Sequence, residues 1–290
     1  MHYEGAHIIR PPSEADSIIL QVTVGCSHNR CTFCGTYKEE RFRIKDQAIV
    51  EADLNFAARY CLRQSRVFLA DGDVLALSQR RLIELFTKIR QRLPWVNRVS
   101  LYGNARAIRN KSVAQLLELK ELGLHRVYLG LESGYDPVLK AIDKGADATQ
   151  MIEAAQRVRT AGLFLSVTAL LGIAGAALSQ EHAKVTGQVL SAMEPNQTGI
   201  LTLMLLENTQ LYQLATAGKF QLPGQHALLR ELRTIVEHLD LKKGQLQSNH
   251  ASNYLAINAR MPRDKEAVLA AIDQALAGHT PLKPEYLRAL

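Results

Sequence analysis

The chain has 290 residues, of which 47% are hydrophobic and 22% charged, and this composition is typical of a globular enzyme with a substantial core. The formal net charge of +7 excludes an acidic protein, and Lys and Arg are spread along the chain rather than clustered in a binding patch. A chain of this size with only four cysteines needs no disulfide staples, so an oxidising compartment is not expected. Because the first residues lack a signal pattern and the longest uncharged stretch, residues 163–180, contains glycines and polar residues, we expect a cytoplasmic protein without a membrane span.

Short apolar runs alternate with longer amphipathic runs from Ser17 to about Leu241. The apolar runs predict strands, because strands covered by helices on both faces are continuously apolar, and the amphipathic runs predict helices. Gly123 and Gly162 closely follow two of these helices as stop signals. The predicted strands are Ile18–Val24, Val67–Ala70, Val99–Tyr102, Val127–Leu131, Phe164–Leu171 and Ile200–Leu206. The predicted helices are Glu51–Arg63, Gln79–Leu93, Val113–Leu122, Thr149–Thr160, Gln180–Met193, Gln210–Ala217, Gln225–Leu241 and Lys265–Ala277.

This alternation of strands and helices predicts an α/β fold. Parallel β-α units with right-handed crossovers form either a complete or partial barrel or an open doubly wound sheet. In each arrangement the chemistry belongs at the carboxyl ends of the strands. We expect residues 1–241 to form the core, and residues 242–290, a polar segment and a final helix, to form an extension packed on it.

Three cysteines, Cys26, Cys31 and Cys34, follow the first predicted strand with the spacing C-x4-C-x2-C. Thiolates are soft ligands that suit iron–sulfur clusters or zinc. Iron–sulfur clusters usually take four cysteines, but Cys61 is predicted to be a core residue on a helix, so one iron would stay open. Two alternatives stay open: unmetallated thiols, or zinc with His28 as a fourth ligand, although structural zinc sites usually draw ligand pairs from two separated places.

The three-cysteine loop, with Phe33 directly before the last cysteine, resembles the radical S-adenosylmethionine (radical SAM) superfamily. The resemblance implies that the cysteines hold a [4Fe–4S] cluster whose fourth iron is chelated by the amino and carboxylate groups of SAM, and that Phe33 lies against the adenine. The commonest spacing in that family is C-x3-C-x2-C, so this chain carries a variant with one extra residue in the first gap. The motif identifies no subfamily.

After the second predicted strand, Asp71-Gly72-Asp73 stands where the family often carries a turn that binds the amino group of SAM. Gly72 would let the backbone approach a ligand, and a carboxylate pairs with an ammonium group. Asp73 aligns with the acidic member of that motif and is preferred over Asp71. The alternative is an ordinary Asp-Gly turn.

Three further segments in chain order resemble the SAM-binding elements of the family. Asn104 and Arg106 follow the third strand and would face the barrel mouth, unless Asn104 only begins a helix. Glu132 and Ser133 match a Gly-x-Glu-Ser-Gly segment whose Glu contacts the ribose, and a carboxylate at the end of an apolar strand needs a partner. Helix capping by Ser133 is the alternative. Gly172 belongs to an apolar, glycine-containing segment that resembles the adenine-binding one.

The resemblance implies a partial (β/α)6-type parallel barrel with a small C-terminal extension. It also implies an enzyme whose reduced cluster cleaves SAM to methionine and a 5′-deoxyadenosyl radical, which abstracts hydrogen from a substrate. An external one-electron donor of the flavodoxin or ferredoxin type is then required. We expect no auxiliary cluster. A small organic metabolite is favoured as substrate because no appended recognition domain is evident. Nucleic acid is left open as a partner, and no membrane partner is expected.

The polar segment Ser248–Tyr254 is a candidate for closing over the barrel mouth. His250 and Tyr254 are the candidate groups for proton or hydrogen transfer. The alternative is a polar loop that anchors the C-terminal extension. Two other functions stay open for the whole chain: a non-catalytic iron–sulfur electron-transfer or redox-sensing protein of the same fold, and a zinc-stabilised binding protein. Asp73 and Glu132 argue against an electron carrier, which needs no SAM ligands.

Overall fold

The computed structural model describes residues 1–5 and 8–289. Strands and helices alternate along most of this part of the chain. The strands are β1 Ile18–Gln21, β2 Thr23–Val24, β3 Arg43–Ile44, β4 Arg66–Ala70, β5 Arg98–Tyr102, β6 Leu124–Glu132, β7 Phe164–Leu171, β8 Gln197–Thr202, β9 Gly244–Gln247 and β10 Asn258–Met261. The helices are α1 Gln47–Tyr60, α2 Gln79–Arg92, α3 Ala105–Arg109, α4 Val113–Glu121, α5 Asp136–Ala141, α6 Ala148–Thr160, α7 Gly175–Met193, α8 Gln210–Thr216, α9 Gln225–Glu237 and α10 Lys265–Leu276.

Eight strands form one mostly parallel sheet in the order β1-β4-β5-β6-β7-β8-β9-β10. Parallel register joins β1 to β4, β4 to β5 and β5 to β6, and further along the chain β7 to β8 and β8 to β9. The last pair, β9 and β10, is antiparallel, and β2 and β3 form a separate antiparallel ribbon. Parallel neighbours need crossover connections, which the intervening helices provide. The predicted α/β class is confirmed.

Local signals explain where several helices begin and end. The side chains of Asp46, Ser78 and Ser112 cap the first turns of α1, α2 and α4 by accepting hydrogen bonds from backbone N–H groups. Gly123 and Gly162 take positive φ angles of 113° and 68° just after α4 and α6, which confirms them as stop signals.

The chain divides into two compact units that are interleaved in sequence. The first comprises Met1–Asn29, Thr36–Leu129 and Arg157–Leu165, and the second comprises Arg30–Gly35, Gly130–Gln156 and Ser166–Leu290. The predicted division into a core of residues 1–241 and an extension of residues 242–290 stays a prediction. Within residues 1–5 and 8–289, no helix is both long and apolar enough to span a membrane.

In the first unit, the face of β4 and β5 opposite to Val67 and Leu69 carries an aromatic cluster. The ring of Phe68 lies 5.1 Å from that of Tyr102 and 6.1 Å from that of Tyr128, measured between centroids. Edge-on contacts of this kind stabilise beyond the area that they bury. This face of the sheet is therefore filled by side chains of the unit itself.

In the second unit, α7 packs against α9, and α9 packs against α10. An apolar cluster lies beneath the loops after β7 and β8, formed by Val138, Ile142, Leu170, Ile173, Leu203 and Leu211. Strands β9 and β10 continue the sheet beyond β8, in a region where the sequence predicted only a polar segment and a helix. These strands are short and mostly polar, so their apolar pattern was too weak to predict them.

Several predicted elements differ from the observed ones for identifiable reasons. The strand predicted at Ile18–Val24 is split at Val22, whose N–H donates to Ala70 while its carbonyl accepts from Lys45, so the chain passes from the sheet to the ribbon. Strand β8 ends at Thr202, whose N–H donates to the Ser252 hydroxyl rather than continuing the ladder. The short helices α3 and α5 were not predicted because five or six residues are too few to show a helical period.

The expectation that Cys61 is a core residue is wrong. Helix α1 ends at Tyr60, and Cys61 caps it with a partly exposed side chain. The next residue, Leu62, is 62% exposed. The apolar pattern continued past the point where the helix ends.

Candidate functional site

In the first unit, the loop after β1 and the loop after β4 meet at Cys26 and Gly72. A Cβ atom added to Gly72 would lie 3.0 Å from Cys26 Cβ and 3.1 Å from Tyr37 Cε2. Contacts this short leave no room for a side chain, so glycine is what lets the second loop approach the first cysteine. The close approach at Gly72 in the structure is to the protein's own cysteine loop, and its approach to a ligand stays a prediction.

Asp73 is the centre of a buried polar cluster in the same unit. Its side chain is fully buried, and its Oδ2 accepts hydrogen bonds from the Ser27 hydroxyl and, at 2.6 Å, from Asn104 Nδ2. Asn104 Nδ2 also lies 3.0 Å from Ser27 Oγ. The other oxygen, Oδ1, is buried and has no hydrogen-bond partner among the described residues. A buried carboxylate oxygen without a donor is costly, so this atom is suited to a donor that arrives with a ligand.

The electrostatics of Asp73 follow from its burial. Burial raises the pKa of Asp73 to about 6, although hydrogen bonds from Ser27 and Asn104 and the charge of Arg106 act to lower it. Arg106 is exposed, and its guanidinium lies 3.5 Å from the Ser27 carbonyl oxygen. A cationic ligand group placed against Oδ1 would restore the ionised form.

The neighbouring carboxylate, Asp71, serves a structural purpose. Gln21 Nε2 donates to Asp71 Oδ2 at 2.8 Å, the Gly25 N–H donates to the same oxygen at 3.3 Å, and the Tyr37 hydroxyl donates to Oδ1 at 3.3 Å. Burial and the charge of Asp71 raise the pKa of Tyr37, which keeps that hydroxyl protonated as a donor. Both oxygens of Asp71 are therefore occupied within the protein, and the open oxygen belongs to Asp73.

Asn104 begins a helix, as the alternative predicted, and its contact with SAM stays a prediction. Its side-chain oxygen caps α3 by accepting a hydrogen bond from the Ala107 N–H at 2.8 Å. Its side-chain nitrogen is the donor to Asp73. The strand-to-helix connection thus fixes the amide in the orientation that holds the carboxylate.

In the second unit, the cysteine loop is tied down by backbone hydrogen bonds. The Thr32 N–H donates to Ile142 O at 2.9 Å, and the Thr32 carbonyl accepts from the Leu211 N–H at 2.9 Å. Cys31 and Cys34 flank this anchor, and both side chains are partly exposed. The ring of Phe33 packs against the apolar cluster that contains Ile142 and Leu211, so its contact with an adenine ring stays a prediction.

Glu132 ends β6 in a left-handed conformation, with φ +65°, and pairs with Lys144. Lys144 Nζ lies 2.8 Å from Glu132 Oε1, and the two side chains are only 15% and 11% exposed. Burial acts to lower the pKa of Lys144, but the charges of Glu132, Cys31 and Cys34 outweigh it and raise that pKa. The predicted need of this carboxylate for a partner is met within the chain by Lys144. The contact of Glu132 with a ribose stays a prediction.

Ser133 and Gly172 belong to an internal hydrogen-bond network. The Ser133 hydroxyl is buried, lies 2.8 Å from His182 Nδ1 and accepts from the Tyr135 N–H at 3.0 Å. Gly172 has φ +82°, and its N–H donates to Glu231 Oε1 at 2.6 Å. These contacts occupy the Ser133 hydroxyl within the protein. Direct contacts of Ser133 and Gly172 with SAM stay predictions.

His250 and Tyr254 anchor the C-terminal segment, as the structural alternative predicted. His250 Nδ1 lies 2.9 Å from the Ser252 hydroxyl, and burial lowers the pKa of His250. The Tyr254 hydroxyl donates to Glu285 and accepts from Arg288 Nη1 at 2.6 Å, and burial raises the pKa of Tyr254. Their roles in proton or hydrogen transfer stay predictions.

Four residues of these clusters were missed by the sequence analysis: Ser27, Lys144, His182 and Glu231. Their partners are distant in sequence or lie across a turn, so no spacing pattern indicates them. The one available signal was the position of His182, a polar residue at helical spacing with buried members of α7. Within the described ranges, no group of three or more His, Cys, Asp or Glu side chains is arranged to hold a metal ion.

Comparison with known proteins gives a family and a fold. The model of the radical SAM superfamily matches residues 20–180. A tRNA uridine(34) acetyltransferase from Methanocaldococcus infernus is 26% identical over 112 residues, which cover 38% of this chain and 21% of that protein. An uncharacterized methyltransferase from Pyrococcus horikoshii is 24% identical over 212 residues, 70% of this chain and 43% of that protein. The chain therefore spans less than half of the curated relatives that it matches.

Among solved structures, methylornithine synthase superposes with a TM-score of 0.55 and 15% identity, covering 77% of this chain and 63% of that one. At this identity the similarity concerns the fold alone. It agrees with the mostly parallel α/β sheet described above.

Proposed function

The chain belongs to the radical SAM superfamily, and from that premise we propose that it is an enzyme that binds SAM at a [4Fe–4S] cluster and abstracts hydrogen from a small organic metabolite. The family uses both of these cofactors. The observation that carries the proposal is the buried Asp73, which has one oxygen held by Ser27 and Asn104 and the other without a partner.

The donor set of the cysteine loop fits the cluster. Cys26, Cys31 and Cys34 stand within nine residues of the sequence. Thiolates are the usual ligands of iron–sulfur clusters, and three of them leave one iron without a protein ligand. That iron is the place for the amino and carboxylate groups of SAM.

Asp73 would accept a hydrogen bond from the amino group of SAM. Ser27 and Asn104 already orient the carboxylate through Oδ2, so Oδ1 needs no rearrangement to accept from that N–H donor. A charge-assisted hydrogen bond is about twice as strong as a neutral one, and here it would also satisfy a buried atom. Gly72 keeps the loop that carries Asp73 against Cys26.

In the second unit, Lys144 would hold Glu132 in an orientation suited to the ribose hydroxyls. The pair is nearly buried, and the charges of Cys31 and Cys34, which would bind the cluster as thiolates, also act on Lys144.

When bound, the cluster and SAM supply the chemistry itself, the reductive cleavage of SAM to a 5′-deoxyadenosyl radical that takes a hydrogen atom from the substrate. We propose a flavodoxin or ferredoxin as the external one-electron donor. A tRNA substrate is the alternative suggested by the name of one relative, of which the chain covers 21%.

The test is electron paramagnetic resonance on protein reconstituted anaerobically with iron and sulfide and reduced with dithionite. We expect a reduced [4Fe–4S] signal that changes when SAM is added. Cys31→Ala should lose the signal, whereas the matched variant Cys61→Ala should keep it, because Cys61 lies at the end of α1. A cluster whose signal does not change when SAM is added would favour an electron carrier. Stoichiometric zinc without a cluster would contradict the proposal.

A further inference from the structure

A buried chain of polar side chains runs through the second unit and centres on His182 of α7. His182 is fully buried, and its Nδ1 lies 2.8 Å from Ser133 Oγ and 3.2 Å from Thr186 Oγ1. On the opposite side of the ring, Nε2 lies 3.4 Å from Oε1 of Glu231, a fully buried residue of α9. A buried carboxylate and a buried imidazole are costly to desolvate, so this arrangement needs a reason other than stability.

One end of this series of polar side chains holds the turn after β6. The Ser133 hydroxyl accepts from the Tyr135 N–H at 3.0 Å, and the Thr186 hydroxyl accepts from the Gly134 N–H at 2.9 Å. Both hydroxyls also contact His182 Nδ1. The two hydroxyls that hold the backbone immediately after Glu132 are therefore both in contact with the imidazole.

The other end holds the turn after β7. Glu231 Oε1 accepts from the Gly172 N–H at 2.6 Å, and Oε2 accepts from the Ser179 hydroxyl. Gly172 has a positive φ and begins the turn that leads into α7. One carboxylate thus fixes both the end of β7 and the first turns of the helix that carries His182.

His182 lies between the two ends of this series of side chains. The Ser133 hydroxyl, which accepts from the Tyr135 N–H, lies 2.8 Å from His182 Nδ1. On the other side of the ring, Nε2 faces Glu231 Oε1 at 3.4 Å. Nε2 has no hydrogen-bond partner in the described part of the chain, so this contact is the weakest of the series.

We infer that His182 and Glu231 are positioning residues that couple the turn carrying Glu132 to the turn carrying Gly172, so that two segments assigned to SAM move together. The inference rests on the proposed function for the identity of the ligand. The coupling itself concerns only residues of this chain. Ser133 then acts through its backbone turn and through His182, not as a ligand of SAM.

The first test is hydrogen exchange measured by mass spectrometry on the protein without cofactors. In Ser133→Ala we expect faster exchange in residues 130–137 and also in residues 170–178, at the far end of the chain. The expected increase is about fivefold, the factor that corresponds to one net hydrogen bond. Ser191→Ala is the matched control on α7, because Ser191 Oγ donates to Gly187 O at 2.7 Å and accepts from the Asp240 N–H at 2.8 Å, away from both turns.

The second test is a double-mutant cycle on the affinity of the reconstituted protein for SAM. Ser133→Ala and Glu231→Gln change opposite ends of this series of side chains, and His182 contacts both of these residues. We expect the double variant to bind SAM with the same affinity as the single variant that binds it less tightly. Each single change already breaks the coupling between the two turns, so the second change adds no further loss. If Glu231→Gln does not fold, Ser179→Ala, which removes one donor to the same carboxylate, replaces it.

Additive losses of affinity, together with exchange changes confined to the mutated turn, would overturn the inference. So would unchanged SAM affinity in variants whose melting temperature falls like that of Ser191→Ala. If the unmodified, cluster-loaded protein binds no SAM, the proposed function fails instead. The exchange experiment, which needs no cofactor, still decides whether the two turns are coupled.

Discussion

Replacing Lys144 by methionine removes the charge partner of Glu132 and keeps a side chain of similar length. In the structure the two charged atoms are 2.8 Å apart and the side chains are 15% and 11% exposed. Breaking a buried ion pair by removing one partner costs about 3–5 kcal/mol, because the other charge stays buried. Since both side chains keep some contact with solvent, we expect a loss near the lower end, about 3 kcal/mol in the free energy of unfolding.

Urea unfolding at neutral pH measures this loss, and the double variant Lys144→Met/Glu132→Gln is its control. Removing both charges should recover most of the stability, because no uncompensated carboxylate is left. A loss of less than about 1 kcal/mol in the single variant, the value of an exposed pair, would refute the reasoning. It would mean that solvent reaches Glu132 and that its orientation does not depend on Lys144.

Three further predictions follow from the same contacts. Because burial raises the pKa of Asp73 to about 6, the protonated form stabilises the cofactor-free protein, and this contribution is lost as the pH rises through about 6. SAM needs the ionised form, so calorimetry should show its affinity falling as the pH drops below about 6, and Asp73→Asn should remove that dependence. A Cβ on Gly134 would lie 2.8 Å from Thr186 Cα, so Gly134→Ala should cost about 1–3 kcal/mol in a urea titration. Gly199→Ala, whose Cβ would meet its nearest neighbours at 3.8 Å, should cost far less, and equal losses would contradict the packing argument.

The elements with long apolar runs could be predicted from the sequence. Strand β7, Phe164–Leu171, has the predicted bounds, and α2 and α4 begin at the predicted residues. Boundaries that depend on distant partners could not be predicted. The break at Val22 and the end of β8 at Thr202 are set by hydrogen bonds to Lys45 and Ser252.

The candidate site shows the same limit. Asp73 and Asn104 were found because they follow strands in a recognisable order, and the structure brings the two together. The partner of Glu132 could not be found, because a lysine twelve residues away on a short loop carries no periodic signal. The contact of His182 with Glu231 joins two helices, α7 and α9, which only the folded chain brings together.

The most direct test of the central claim is the amount of 5′-deoxyadenosine formed from SAM by the anaerobically reconstituted, dithionite-reduced protein, measured by liquid chromatography. The account predicts that the unmodified protein forms 5′-deoxyadenosine and methionine in equal amounts. It also predicts that Asp73→Asn keeps its cluster but loses most of this product, because a neutral amide makes a weaker hydrogen bond to the SAM amino group than a carboxylate does. A cluster-loaded protein that forms no 5′-deoxyadenosine, or an Asp73→Asn variant as active as the unmodified protein, would contradict the account.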